Sequence, residues 1–329
     1  MNLQKLKYIL HSGKNPKFLY YAAAYVKTHT PRFLLRPAVS RLDDIVESRP
    51  DIDYIARRVH YYAKASIYPD TSAEVWTQGS CRIADTPRSR QKVYWFDAME
   101  FARYFPLSLR WHLESGDVDY VPPVPSIVKS RPICADNHNS VLMKLDKVRH
   151  FTFLTDNTPW RQKADRAIFR GKVGGKQPRI EFMQKYYGNP RVDAGAIDCI
   201  RPEWVRPKMS LYDHLPFRYI MCIEGNDVAS NLKWVMSSNS IAVMPRPTCE
   251  TWFMEGMLVP GYHYIEVRPD FSDLIERLDY YSAHPDEAEA IVRHAHEWVS
   301  QFFDERRERL ISLLVMRRYF RGVDSIGKE

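Results

Sequence analysis

The sequence predicts an α/β fold whose C-terminal half is built around a mainly parallel β-sheet. An apolar, strand-like run at 219–223 leads into a glycine-containing turn and a helix start, and a second buried strand follows at 241–244. From about residue 160 onward, strand-like and helix-like patterns alternate regularly. This order of strand, turn, helix and strand is typical of a parallel sheet that is covered by helices on both faces.

The N-terminal half has shorter and less regular elements. Residues 1–45 form a basic arm, and proline residues at 31 and 37 interrupt any helix near its end. The elements predicted after the arm are a helix with Ile52, Ile55, Val59 and Tyr62 on one stripe, a strand at 93–96, a helix at 97–104 that Pro106 ends, an extended proline-rich loop at 119–125 and a strand at 126–130.

The C-terminal half contains the elements of the predicted sheet and its covering helices. In chain order they are a strand at 167–169, a basic glycine turn at 170–176, a helix at 179–187, the strands at 219–223 and 241–244, a strand at 262–267, a helix capped by Ser272, and a helix capped by Asp286 with Ile291, Ala295, Trp298 and Phe302 on one face. This half is therefore predicted to be doubly wound.

Composition indicates a reduced intracellular protein. Of its 329 residues, 45% are hydrophobic, which is enough for a sizeable core, yet no run of about 18 apolar residues predicts a membrane-spanning helix. The N-terminus lacks the apolar region of a signal peptide. The cysteines, Cys81, Cys134, Cys199, Cys222 and Cys249, are odd in number and form no C-x-x-C pair, so neither a disulfide framework nor a zinc site is expected.

The net charge of +8 is concentrated at the N-terminus. The cations that precede the first acidic residue, Asp43, are Lys5, Lys7, Lys14, Lys17, Lys27, Arg32, Arg36 and Arg41. The apolar residues interleaved with them are Leu6, Tyr8, Ile9, Leu10, Phe18, Leu19, Tyr20, Tyr21, Tyr25 and Val26. Such an arm favours an anionic membrane surface over nucleic acid, and a solvated basic face is the alternative. We expect a cytoplasmic protein that is peripheral to the inner face of the cytoplasmic membrane.

A candidate ligand-binding loop follows the strand at 219–223. Ligands of parallel sheets gather at the carboxyl ends of the strands. Gly225 allows a close approach, Asn226, Asp227 and Ser230 are able to bond a sugar or ribose, and Lys233 is able to meet a phosphate. The alternative is an ordinary loop whose polar side chains cap a helix.

A second basic turn, beginning with Arg170, Gly171 and Lys172, follows the strand at 167–169. Its glycine spacing is too short for an ATPase phosphate loop, and Gln177 stands where that loop has Ser or Thr. Arg170 is nevertheless suited to hold a diphosphate by two hydrogen bonds without a metal. A solvated basic turn is the alternative.

Two Asp-x-Asp pairs are candidate metal ligands or catalytic acids. Asp51 and Asp53 fit the start of a helix, where the dipole favours acids. Asp117 and Asp119 lie on an extended loop and offer a catalytic carboxylate, or alternatively plain turn chemistry. No cluster with metal-ligand spacing is found, so we expect no bound metal.

An ordered set of segments resembles glycosyltransferase family 90, and in particular its bacterial lipopolysaccharide branch. The segments are 128–133, 169–171, 225–236, 237–240, 262–267 and 270–274, within a similarity that covers roughly residues 115–303. The resemblance implies two facing Rossmann-like domains of the GT-B type, a nucleotide-sugar donor such as a UDP-sugar, and inversion at the anomeric carbon without a metal. It divides the chain into a basic arm (1–45), an acceptor-side domain (46–155), a donor-binding domain (156–303) and a C-terminal helix (304–329).

The resemblance also implies roles for particular residues. Donor contacts fall on Arg170, Gly171, Lys172, Gly225, Asn226, Asp227, Ser230, Lys233 and Glu250. Eukaryotic members carry an arginine shortly after the Ala-Ser, where this chain has Leu232 and Lys233. The general base is carried over to Asp119 by order, with Asp117 and Asp136 as rivals.

We therefore expect an inverting, metal-independent hexosyltransferase. Its substrates would be a nucleotide sugar and a lipopolysaccharide-core or other lipid-linked glycan, with no cofactor and no nucleic-acid partner. A metal-dependent Asp-x-Asp transferase and a basic nucleic-acid-binding protein are the alternatives.

Overall fold

The computed structural model describes residues 13–35, 39–88, 91–198 and 201–326. The helices, numbered in chain order, are α1 (Lys17–His29), α2 (Leu42–Glu47), α3 (Ile52–Tyr62), α4 (Ala73–Gly79), α5 (Lys92–Ala102), α6 (Lys147–His150), α7 (Gln177–Tyr186), α8 (Leu232–Met236), α9 (Leu274–Ala283), α10 (Pro285–Ser300) and α11 (Glu305–Asp324). Short 3-10 helices cover Arg32–Leu34, Ile83–Asp85, Trp160–Gln162, Pro202–Trp204, Tyr212–His214 and Glu255–Met257.

The strands are numbered in the same way. They are β1 (Cys81–Arg82), β2 (Arg110–Trp111), β3 (Ser126–Val128), β4 (Ser130–Pro132), β5 (Ser140–Leu142), β6 (Ala164–Gly171), β7 (Val192–Ala196), β8 (Phe217–Met221), β9 (Ile241–Met244), β10 (Cys249–Thr251) and β11 (Ile265–Glu266). The chain divides into two compact units. Among the described residues, the first unit contains 13–15, 149–198, 201–248 and 255–301, and the second contains the rest.

The first unit is built on a five-stranded parallel sheet in the order β11-β9-β8-β6-β7. The predicted strands at 167–169, 219–223 and 241–244 are its β6, β8 and β9. Their apolar side chains are buried because helices cover the sheet, and Phe169, Tyr219 and Val243 belong to one hydrophobic core with Phe182 of α7. A mixed α/β fold with a parallel central sheet is thus confirmed.

The second unit contains helices and short strand pairs. Strands β1 and β2 pair antiparallel, β4 and β10 pair antiparallel, and β3 and β5 pair parallel. Within the part of this unit that the structure describes, no larger sheet forms. The predicted arrangement of two Rossmann-like domains therefore stays a prediction, as do the predicted domain boundaries.

Buried charge organises the core of the second unit. Arg58 of α3 pairs with Glu308 of α11 at 2.6 Å, and both side chains are almost fully buried. Tyr62 stacks on Trp252 with ring centroids 3.8 Å apart, and its hydroxyl accepts hydrogen bonds from the Arg58 guanidinium. The helical stripe predicted around Ile55 and Tyr62 is the buried face of α3.

The strand predicted at 93–96 is wrong, because these residues lie within helix α5. The buried positions Tyr94, Ala98 and Phe101 recur at helical spacing, so α5 buries one face from its first turn. A short apolar run does not distinguish a strand from a buried helix segment, and helical burial decides the outcome here.

The predicted caps of the last two sheet-covering helices are also corrected. Helix α9 begins at Leu274 with Asp273 rather than Ser272 at the cap position, and the Asp273 carboxylate accepts from the amide of Arg268. Helix α10 begins at Pro285, whose fixed backbone suits a first helical position. Asp286 lies inside its first turn.

The described part of the basic arm includes α1, which packs on α5. The Tyr20 hydroxyl donates to Asp97 at 2.8 Å, and Lys27 pairs with Glu100 at 2.9 Å. Lys5, Lys7 and Arg36 of the predicted arm, with Leu6, Tyr8, Ile9 and Leu10, lie outside the described residues, as does Cys199. In the described ranges, no helix combines the length and apolar character needed to cross a bilayer.

Candidate active site

The sheet of the first unit has a topological switch point between β6 and β8. From β6 the chain adds β7 on one side and then β8 on the other, so the connections leave in opposite directions. In open α/β sheets a ligand crevice forms outside the carboxyl ends of the strands at this point. The loops there are 172–176, which follows β6, and 222–231, which follows β8.

The guanidinium of Arg179 joins these two loops. Its Nη1 donates to the carbonyl of Lys172 at 2.9 Å, and its Nη2 donates to the carbonyl of Ile223 at 2.7 Å. Its Nε shares a hydrogen between the carbonyls of Ile223 and Glu224, each at 3.1 Å. These bonds use three of the five N–H groups of an arginine, so two remain for a ligand.

The two glycines predicted for donor binding flank this guanidinium. A Cβ on Gly225 would lie 3.1 Å from Nη2 of Arg179, and one on Gly171 would lie 3.6 Å from Nη1. The absence of a side chain at Gly225 therefore leaves room for the Arg179 guanidinium beside the loop. Burial lowers the pKa of Arg179, which still remains charged at neutral pH.

Sequence reasoning missed Arg179. The first turn of helix α7 could have indicated it, because this turn has no acidic residue and carries an arginine instead. A cation at a helix N-terminus opposes the helix dipole and needs another reason to be present.

The glycine turn after β6 already holds an anion from the same chain. The Asp198 carboxylate accepts from the amides of Val173 and Gly174 at 2.8 and 2.9 Å. Although burial opposes ionisation, these amide hydrogen bonds hold the pKa of Asp198 below its ordinary value. Two amides that would serve a phosphate loop are thus occupied by a carboxylate.

Arg170 lies at the end of β6 and is held by the neighbouring strand. It pairs with Asp193 of β7 at 2.7 Å and also donates to the carbonyls of Phe169 and Asp193. Its Nε is buried and has no hydrogen-bond partner among the described residues. Lys172, two residues on, is exposed.

The loop after β8 is tied to its neighbours at both ends. Glu224 accepts from the amide and hydroxyl of Thr248, which follows β9, at 3.1 and 2.6 Å. The amide of Gly225 donates to the carbonyl of Asp227 at 3.0 Å, which closes a tight turn. Asn226 and Ser230 are exposed, whereas Asp227 is buried.

Lys233 does not lie with these groups on the surface. It is fully buried in α8, where its ammonium pairs with Glu255 at 2.7 Å. A phosphate contact by Lys233 would require this buried ion pair to separate.

The remaining predicted site residues belong to the second unit. Glu250 of β10 is buried and pairs with the fully buried Arg131 of β4 at 2.8 Å, and Tyr61 donates to its second oxygen. Asp119 is exposed on its loop. Asp117 is bound by the buried ammonium of Lys129 at 2.5 Å.

The structure therefore brings Gly171, Lys172 and Gly225 together around Arg179, with Arg170 on the adjoining strand end. Among the described residues, no three His, Cys, Asp or Glu side chains are grouped as a metal site. Cys81, Cys134, Cys222 and Cys249 are free thiols.

The family described as glycosyl transferase family 90 matches residues 97–307. An O-glucosyltransferase, LpsA, from Dichelobacter nodosus is 39% identical over 308 residues, which cover 92% of this chain and 94% of that protein. Protein O-glucosyltransferase 3 from Homo sapiens is 24% identical over 229 residues, which cover 64% of this chain and 45% of that protein.

Proposed function

The chain belongs to glycosyltransferase family 90, and we propose that within this family it transfers glucose from UDP-glucose to a hydroxyl of a lipopolysaccharide-core or related lipid-linked glycan. That the protein is a glycosyltransferase follows from the family. The glucosyl group is supported by the similarity to an O-glucosyltransferase over nearly the whole length of both chains. The glycan acceptor is supported by the segments that resemble the lipopolysaccharide branch.

The observation that carries the donor site is the Arg179 guanidinium at the switch point of the parallel sheet. Two of its N–H groups remain for a ligand, which matches the bidentate hydrogen bonding of a phosphate oxygen pair. Lys172 follows the same strand and adds positive charge from an exposed position, whereas Asp193 already pairs with Arg170. Preorganised cations of this kind stabilise the negative charge that develops on a departing nucleoside diphosphate.

We propose that this charge stabilisation proceeds without a divalent metal and that the anomeric configuration is inverted. In a single displacement, the acceptor oxygen attacks the anomeric carbon as the bond to the diphosphate breaks. A carboxylate removes the hydroxyl proton. Asp119 is the favoured base over Asp117, because the ammonium of Lys129 already neutralises the Asp117 carboxylate.

The proposal includes attachment to an anionic membrane surface through α1 and the 3-10 helix that follows it. Their exposed apolar side chains include Phe18 at 82%, Val26 at 67% and Phe33 at 71% exposure. Lys17 is exposed beside them, whereas Lys27 pairs with Glu100 and Arg32 donates to the carbonyls of Arg103 and Phe105. Apolar insertion would therefore contribute more than charge.

Thermal-shift measurements with UDP-glucose and with other nucleotide sugars test which donor the protein binds. Repeating them with EDTA tests whether this binding requires a metal. UDP-glucose should raise the melting temperature most, since a ligand stabilises the fold according to its affinity. Transfer to lipid-free core oligosaccharide, followed by NMR of the product anomer, tests the acceptor and the inversion. Loss of transfer in EDTA, or a retained α-anomer, would contradict the proposal.

A further inference from the structure

The second unit contains an open pocket of about 390 Å³ that the donor proposal does not use. It is formed by the end of α4, strand β1, residues 86–87 and the segment 112–115 after β2. Its volume lies in the range of small-molecule binding sites. The groups that distinguish it are His112 and Glu114, whose side chains are each 29% exposed.

His112 is held rigidly by fully buried residues. Its backbone amide donates to the Tyr319 hydroxyl at 3.0 Å, and its carbonyl accepts from the amide of Ile127 at 2.9 Å. Its Nδ1 lies 2.7 Å from the Ser126 hydroxyl. A side chain fixed in this way by a surrounding shell is preorganised for binding.

The hydrogen-bond network determines which nitrogen of His112 carries the proton. The Ser126 hydroxyl donates its only hydrogen to the carbonyl of Val124 at 2.6 Å, so it accepts from Nδ1–H of His112. Burial lowers the pKa of His112 and outweighs the opposite effect of the Glu114 carboxylate, so the neutral ring is favoured at pH 7. Its Nε2 is therefore a hydrogen-bond acceptor.

Glu114 presents a second acceptor next to this nitrogen. Its Oε2 lies 4.0 Å from Nε2 of His112. Two acceptors do not bind each other, and Glu114 also accepts a hydrogen bond from the Tyr120 hydroxyl. Because both side chains are partly exposed, a group that donates hydrogen bonds can lie between them. The described residues that line the pocket include no lysine or arginine, which disfavours a phosphate or carboxylate ligand.

We propose that this pocket binds the acceptor glycan, with two hydroxyl groups of a sugar ring donating to Nε2 of His112 and to the Glu114 carboxylate. The inference rests on the proposed function, because a glycan acceptor is what gives a sugar-binding pocket its purpose here. Neighbouring sugar hydroxyls supply two donors a short distance apart. The pocket thereby selects a neutral, hydroxyl-rich ligand, whereas the cations of the first unit select the diphosphate.

The test is an NMR titration of the full chain with lipid-free, dephosphorylated lipopolysaccharide core oligosaccharide in the absence of any donor. The variants are His112→Ala and Glu114→Gln, and His60→Ala is the control, because His60 is exposed on α3 and does not line the pocket. Each lost hydrogen bond should weaken oligosaccharide binding by about three- to tenfold. The amide introduced by Glu114→Gln would itself donate to Nε2 of His112 and compete with the sugar.

Binding of UDP-glucose, measured by thermal shift on the same variants, should stay parental. If His112→Ala does not fold, Glu114→Gln alone tests the inference, since glutamine has the size and shape of glutamate. The inference would be overturned if Glu114→Gln binds the oligosaccharide as tightly as the parent protein does. It would also be overturned if the parent protein does not bind the oligosaccharide, or if inorganic phosphate rather than the oligosaccharide perturbs the His112 resonances. Failure of the parent protein to bind any nucleotide sugar would instead overturn the proposed function, and the donor-free titration would still decide the pocket.

Discussion

Replacing Arg179 by lysine should show how much of UDP binding depends on the geometry of the guanidinium and how much on its charge. Lysine conserves the charge but has no planar fork, so a bidentate contact to a phosphate becomes a single one. Losing one hydrogen bond to a charged group costs about 1.5–3 kcal/mol. At about 1.4 kcal/mol per decade, UDP should bind about 10- to 140-fold more weakly.

The same substitution should also lower the stability of the first unit. The carbonyls of Lys172, Ile223 and Glu224 would lose donors that hold the two loops together. At about 1 kcal/mol for each lost bond, the free energy of unfolding should fall by about 2–3 kcal/mol. Urea denaturation would measure this, and calorimetry with UDP at a temperature where the variant is fully folded would measure binding alone.

Arg277→Lys is the matched control. Arg277 lies in the same unit and bonds Asp273 at 3.2 Å from a half-exposed position, so both its stability and its UDP affinity should remain within a small factor of the parent values. If Arg179→Lys binds UDP as tightly as Arg277→Lys does, the guanidinium is only a loop clamp and the reasoning about the donor site is wrong.

Asp119→Asn should lower kcat by about two to four decades while UDP-glucose binding stays nearly parental. Near-parental turnover in steady-state kinetics would show that another residue is the general base. Phe18→Ser combined with Val26→Ser should reduce co-sedimentation with anionic vesicles while activity on a soluble acceptor is kept; unchanged sedimentation would show that this face does not insert. Asp198 has a lowered pKa in the folded state, so its stabilising contribution is present above the ordinary pKa of 3.8 and is lost as the pH falls below it. The stability difference between the parent and Asp198→Asn should therefore shrink from about pH 7 to about pH 3 in chemical denaturation, and a constant difference would contradict this.

The sheet of the first unit was predictable because its strands are uninterrupted apolar runs that end at glycine or polar turns. The strands at 219–223 and 241–244 are buried on both faces, and their apolar composition together with the turn residues that follow them identifies them. The segment at 93–96 is also apolar but lies in helix α5, because the buried positions Tyr94, Ala98 and Phe101 continue at helical spacing beyond it.

The partners of charged residues could not be predicted, because they are distant in sequence. Arg131 and Glu250 form a buried pair across 119 positions, and Arg58 and Glu308 do so across 250. Periodicity and spacing carry information about neighbours within a turn or a strand, and no local pattern encodes such contacts. The same reason explains why Lys233 looked available to a phosphate in the sequence.

The distinction between structural and ligand-binding cations follows from what neutralises each one. Lys233, Arg131 and Arg58 are each buried against a carboxylate, so their charge is neutralised within the fold.

Arg179 differs from them because its hydrogen bonds go to carbonyl oxygens rather than to a carboxylate, although the Asp198 and Asp227 carboxylates are near enough to act on its charge. The nearby Asp198 carboxylate is in turn held by two backbone amides. A positive charge that is rigidly placed and forms no direct ion pair with the described residues suits an anionic leaving group, since the protein then has no ion pair to break when the diphosphate arrives. On this argument Arg179, rather than Lys233, is the cation of the first unit that is best suited to the donor.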